Sequence, residues 1–123
     1  MKVLIVDDAT VDRALMRRVF ERLGYETQTA ESGERALELL TGDTLPDLVT
    51  IDLYMPGIDG LELVTRIRQD EQLRDVKILM CTTDDSLHSV RAALDRGAHE
   101  YLMKPLDPEA LTQKLVLLGL GRQ

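Results

Sequence analysis

The sequence predicts an α/β fold, a parallel sheet covered by helices on both faces. Three observations predict it. Strand and helix patterns alternate five times along the 123 residues. The runs at 3–6, 48–51 and 76–81 are almost continuously apolar, the pattern of strands buried on both sides. Polar residues stand where four of the strands stop: Asp7-Asp8, Asp52, Thr82 and Lys104. The carboxyl ends of parallel strands lie on one edge, and such sheets bind their ligands there.

Each element follows from local chemistry. The first strand ends in the acid pair, and Thr10 is suited to cap the helix behind it, which runs to about Leu23 before Gly24 stops it. Val11, Leu15 and Val19 fall on one face of that helix. The second strand, residues 25–30, is shorter and more polar, as at a sheet edge. Ser32 and Glu34 open a second helix with Ala36, Leu37 and Leu40 facing inward, and Gly42-Asp43 and Pro46 make the return loop. After the third strand, Pro56-Gly57 and Asp59-Gly60 are turn chemistry, and a third helix covers about 61–68 with Leu61, Val64 and Ile67 as its inner face. The fourth strand leads to a helix capped by Ser86, with Val90, Ala93 and Leu94 inward and Gly97 as its stop. Residues 100–103 form the fifth strand, and Asp107-Pro108-Glu109 is a strong helix start for a fifth helix to about Leu118. No repeat, linker or low-complexity segment interrupts the pattern, so 1–123 is expected to be a single domain.

Composition excludes some functions. Hydrophobic residues make up 44% and charged residues 30%, enough for a packed core under a charged surface. Aromatics are only 3%, with no Trp, and the net charge is −7, so a direct role in binding nucleic acid is not expected. The same field favours divalent cations and basic partner surfaces. The lone cysteine, Cys81, lies in an apolar run and is expected to act as a small buried hydrophobe. No signal-peptide pattern and no apolar run long enough to span a bilayer is present, which points to a cytoplasmic protein without membrane contact.

The strand ends carry the chemistry. Asp7, Asp8 and Asp52 repel one another in one crevice and call for a cation, and an all-oxygen set suits Mg²⁺ or Mn²⁺. Lys104 adds a positive charge and Thr82 a hydroxyl donor. Such a set neutralises and positions a phosphoryl group, and a carboxylate such as Asp52 can itself be the nucleophile that forms an acyl phosphate. Singly, an Asp-Asp pair is often a helix cap and Lys-Pro a surface turn. Jointly, complementary chemistry at four strand ends is hard to explain as turns.

At these residues the chain resembles a response-regulator receiver domain of the single-domain, chemotaxis (CheY-like) type. The motifs are the acid pair, the central Asp52 followed by Met55-Pro56-Gly57 and Asp59-Gly60, Thr82 ending the fourth strand, and Lys104-Pro105 ending the fifth. The resemblance implies a flavodoxin-like doubly wound (βα)5 fold with strand order 2-1-3-4-5. It implies that Asp52 accepts a phosphoryl group from a histidine kinase or a histidine phosphotransfer protein, in a Mg²⁺-dependent reaction. Asp7 and Asp8 would then hold the metal with Asp52 and the backbone carbonyl of Tyr54, Asp8 being the nearer direct ligand. Thr82 would be the switch hydroxyl, Lys104 the lysine that pairs with the phosphoryl group before a cis Lys104-Pro105 bond, and Tyr101 the aromatic coupled to Thr82. Thr83 departs from the family, where that residue is usually very small, and its branched side chain is expected to narrow access to Asp52. On this reading the protein is a phospho-accepting switch rather than an enzyme with a separate substrate.

The resemblance also implies a downstream protein target met through helix four, strand five and helix five, with a dimer as one form of that contact. On helix five, Leu111, Leu115 and Leu118 mark the buried stripe, which leaves Val116, Leu117 and Leu120 unexplained by the core. Arg13, Arg17, Arg18 and Arg22 form a basic stripe on helix one beside the site edge, suited to an acidic partner. His88 and His99 lack partners at ligand spacing, and the methionines suit core filling. Two other classes compete. An aspartyl-phosphate phosphohydrolase of the haloacid-dehalogenase type would carry Asp-x-Asp after its first strand, whereas Asp7 and Asp8 are adjacent. An interaction module that is never phosphorylated would not need the whole set.

Overall fold

The computed structural model describes residues 1–121. Its elements alternate as β1 (Lys2–Val6), α1 (Thr10–Arg22), β2 (Glu26–Ala30), α2 (Gly33–Leu39), β3 (Leu48–Ile51), α3 (Gly60–Gln69), a 3₁₀ turn (Glu71–Leu73), β4 (Lys77–Thr82), α4 (Leu87–Arg96), β5 (Glu100–Met103) and α5 (Pro108–Leu117). The strands pair in parallel in the order β2-β1-β3-β4-β5. This is the flavodoxin-like doubly wound sheet expected.

Alternation along the strands divides the core into two layers. Leu4, Val6, Val49, Ile51, Ile78 and Met80 pack on the side of α2, α3 and α4, against residues such as Ala36, Leu63, Val64, Ile67 and Ala93. Val3, Ile5, Leu48, Leu79, Cys81 and Leu102 face α1 and α5, against Met16, Phe20, Leu111 and Leu115. The parity continues past the strand ends. Asp7, Asp52 and Lys104 therefore belong to the α1–α5 side of the edge, and Thr82 to the α3–α4 side. Cys81 is buried as expected, and burial pushes its thiol up to about 12.

Several helix faces differ from the sequence pattern. On α1 the buried residues are Met16 and Phe20, while Val11 and Leu15 stand 68% and 53% exposed. Phe20 wins the interior because its ring buries more apolar area, and it meets Tyr25 edge-on at 5.2 Å. Ala9, not Thr10, occupies the cap position, and its backbone N–H is taken by Asp7 Oδ1 at 2.9 Å. On α3, Leu63 is fully buried and Leu61 only partly so. Leu94 of α4 is exposed, leaving Ala93 as the one fully buried residue of that helix. Leu111, Leu115 and Leu118 do form the inner stripe of the α5 segment. Leu120 departs from the expected outer patch: it packs on the α1–α5 layer, and its carbonyl accepts the Tyr25 hydroxyl at 3.1 Å.

The caps at Ser32, Asp59, Ser86 and Asp107 each accept a backbone N–H in the following turn. Gly60 has a further task. A Cβ there would lie 2.3 Å from the Asp52 carbonyl oxygen, so only glycine lets α3 begin this close to the end of β3.

His99 proves structural. Its backbone N–H donates to the Ile78 carbonyl and its Nδ1 accepts the Ile78 N–H, both at 3.0 Å, which extends the β4–β5 pairing by one residue. Burial first, then the charges of Arg68 and Lys77, lower its pKa. Because the folded pKa lies below the unfolded value of about 6.5, stability from neutral His99 is complete above that pH and is lost as pH falls through the folded pKa. His99→Asn keeps an acceptor for Ile78 but cannot titrate. Urea unfolding from about pH 8 down to about pH 5 should therefore weaken the wild type more than this variant. Parallel losses in both proteins would show that His99 is not the titrating group.

Candidate functional site

The site lies where β1, β3, β4 and β5 end. Asp7 is 1% exposed, Asp52 is partly buried and Asp8 is exposed. These three residues can bring one carboxylate oxygen each to within 4.8 Å of the others. Their donor set is all oxygen and strongly acidic, which fits a hard divalent cation.

Lys104 is the counter-charge. Its Nζ donates to Asp7 Oδ2 at 2.5 Å, Asp12 Oδ2 at 2.9 Å and Asp52 Oδ2 at 3.3 Å. Burial opposes the ammonium, but the hydrogen bonds to Asp7 and Asp12 and the charges of Asp52 and Asp7 outweigh it, and the pKa rises above that of an ordinary lysine. Asp7 has both oxygens engaged, one by Lys104 and one by the Ala9 N–H. The pKa of Asp52 is raised, chiefly by burial, with Lys104 opposing and Asp7 adding to the rise. A more basic carboxylate is a stronger nucleophile. The Lys104-Pro105 peptide is cis.

The remaining residues gather around Asp84. Thr82 is buried, and its Oγ1 accepts the Asp84 N–H at 3.4 Å. The half-buried Tyr101 donates its hydroxyl to the Asp84 carbonyl at 2.5 Å, and burial first among its causes pushes the phenol up to about 12. Tyr101 and Thr82 therefore meet through Asp84. The Asp84 carboxylate accepts the Tyr54 hydroxyl, the Ser89 hydroxyl at 2.7 Å and the Ser86 N–H at 2.9 Å. These bonds, Tyr54 foremost, hold its pKa well below the usual carboxylate range. The Tyr54 side chain thus spans from the loop after β3 to the loop after β4 while staying 61% exposed. Thr83 is exposed beside this network.

Sequence reasoning gathered Asp7, Asp8, Asp52 and Lys104 correctly and missed Asp12. An acid in the first turn of a helix reads as a dipole partner, and nothing in its spacing reveals that it reaches Lys104. The basic stripe of α1 divides. Arg13 turns inward to the Asp7 carbonyl at 2.7 Å, Arg17 pairs with Glu21, and Arg18 and Arg22 line a groove of about 250 Å³ with Leu15, Leu106 and Lys104.

Comparison with known proteins gives this geometry a family. The model of the response regulator receiver domain matches residues 3–116. The chemotaxis protein CheY1 of Helicobacter pylori is 37% identical over 97% of this chain and 98% of its own length. A chemotaxis protein CheY homolog of Campylobacter jejuni is 37% identical over 98% and 95%. Among solved structures, chemotaxis protein CheY4 of Vibrio cholerae superposes with a TM-score of 0.87 at 33% identity, covering 95% of this chain and 97% of its own. A CheY-like receiver domain protein of Methanospirillum hungatei gives 0.84 at 28% identity, covering 96% and 93%. With the match spanning nearly all of the sequence, the chain belongs to the response regulator receiver domains, the phospho-accepting switches of two-component signal transduction.

Proposed function

We propose that Asp52 is the residue that accepts the phosphoryl group, with a divalent cation held by Asp7, Asp8, Asp52 and the Tyr54 backbone carbonyl. The observation that carries this is the joint approach of three carboxylates and one ammonium at the strand ends, with Asp52 among them. An Asp52 carboxylate oxygen attacks the phosphorus of a phosphohistidine on a partner. The P–O bond forms as the P–N bond breaks, and the imidazole nitrogen keeps the electron pair. Lys104 follows the negative charge onto the phosphoryl oxygens, and the Thr82 hydroxyl donates to one of them. Mg²⁺ or Mn²⁺, when bound, neutralises the charge that gathers on the attacking and transferred oxygens. Hydrolysis of the acyl phosphate by water returns the carboxylate.

The partners follow from the same reading. A histidine kinase or histidine phosphotransfer protein supplies the phosphoryl group across the α1 edge, where Arg18 and Arg22 are available to an acidic surface. A downstream target, or a second copy in a dimer, meets the α4–β5–α5 face. Leu87, Leu94, Met103, Val116 and Leu117 stand exposed there, Leu117 to 70%.

Acetyl phosphate with Mg²⁺ should modify the wild type and leave Asp52→Asn unmodified by intact mass. Equal modification of both proteins would sink the assignment. Metal titration without phospho-donor should show Asp8→Ala losing more affinity than Asp7→Ala, because the Asp7 oxygens already serve Lys104 and Ala9 while Asp8 is free to bind. The opposite ranking would make Asp7 the principal ligand. Tyr54→Ala and Asp84→Ala should each change the lifetime of the acyl phosphate, since either removes the Tyr54–Asp84 bridge. Wild-type decay rates in both variants would leave that bridge without a role in hydrolysis.

A further inference from the structure

We propose that Asp12 is a positioning residue that restrains Lys104 in the unphosphorylated state and so limits how tightly the site holds a phosphoryl group. An ammonium has three donors. Here they are taken by Asp7, Asp12 and Asp52 at 2.5, 2.9 and 3.3 Å, and the contact with the nucleophile is the longest of the three. The lysine is drawn toward α1 and away from the oxygen on which the phosphoryl group would arrive. Asp7 is buried and needs the Lys104 contact to satisfy its carboxylate. Asp12 does not: its side chain is 41% exposed, and at the first turn of α1 it would be stable in water facing the helix dipole. Its place on Lys104 is thus a competing contact that must loosen when the ammonium turns to a new anion.

The inference rests on Asp52 as the phospho-acceptor. Beryllofluoride with Mg²⁺ serves as the phosphoryl probe, titrated by calorimetry. Because Asp12 holds its end of the contact in partial exposure to water, Asp12→Asn and Asp12→Ala should bind it about threefold more tightly than the wild type, with Asp12→Glu close to wild type. Asp85→Asn removes an exposed charge from the same edge without a contact to Lys104 and should leave the affinity unchanged. In metal-free protein, the Cε resonance of Lys104 should move in Asp12→Asn and not in Asp85→Asn. Unchanged or weaker binding in both neutral Asp12 variants, or equal tightening by Asp85→Asn, overturns the role of Asp12. Failure of the wild type to bind beryllofluoride, or equal binding by Asp52→Asn, overturns the assignment of Asp52 and this inference with it.

Discussion

The burial of Asp7 is the constraint on which the rest of the site depends. A carboxylate removed from water is costly unless it is paired and hydrogen-bonded. The Lys104 ammonium and the Ala9 N–H satisfy it, and each comes from a different part of the chain. Lys104 arrives from the end of the last strand and binds residues from the first strand, first helix and third strand, across 97, 92 and 52 positions of sequence. The pairing therefore exists only after the sheet has assembled in the order that puts β1 and β3 at its centre. Three carboxylates on one ammonium still leave negative charge in excess, and Asp8 adds to it. That excess is what a divalent cation would neutralise, so one side chain both permits the acidic cluster and leaves it ready for a metal.

The fold was legible because its signals are local. Continuous apolar runs, turn residues and caps lie within a few positions of one another, and they correctly marked all five strands and helices. The site was legible for a related reason: in a parallel sheet, being last in a strand already specifies a place in space. What escaped was the choice between alternatives that look equal in one dimension. On α1, both the stripe through Val11 and Leu15 and the one through Met16 and Phe20 satisfy helical periodicity, and the sheet accepts the one with the larger ring. The reassignments of Leu63, Leu94 and Leu120 have the same origin, since a neighbouring element decides which side of a helix is inward. Asp12, and the bonds of Asp84 to Thr82 and Tyr101, escaped for another reason. A side-chain contact between elements far apart in sequence leaves no periodic trace.

Asp84 supplies a route from site to surface that motif reading alone does not reveal. Its N–H bonds Thr82, its carbonyl bonds Tyr101, and its carboxylate gathers Tyr54 with the start of α4. On the proposed function, a Thr82 hydroxyl that turned toward a phosphoryl group would change its geometry at the Asp84 N–H and loosen the loop between β4 and α4 at that point. Tyr101 is anchored to the same loop, so its hold and the placement of α4 would change with it. Tyr101 packs on the α3–α4 layer while Met103, two residues on, is exposed on β5, so a displacement of this loop would reach the proposed α4–β5–α5 face. A shift between two arrangements of one loop suffices, provided the phosphoryl group interacts better with one of them. On the proposed function the differential contact would be the hydrogen bond that the Thr82 hydroxyl donates to a phosphoryl oxygen, made by turning the side chain from its place at the Asp84 N–H.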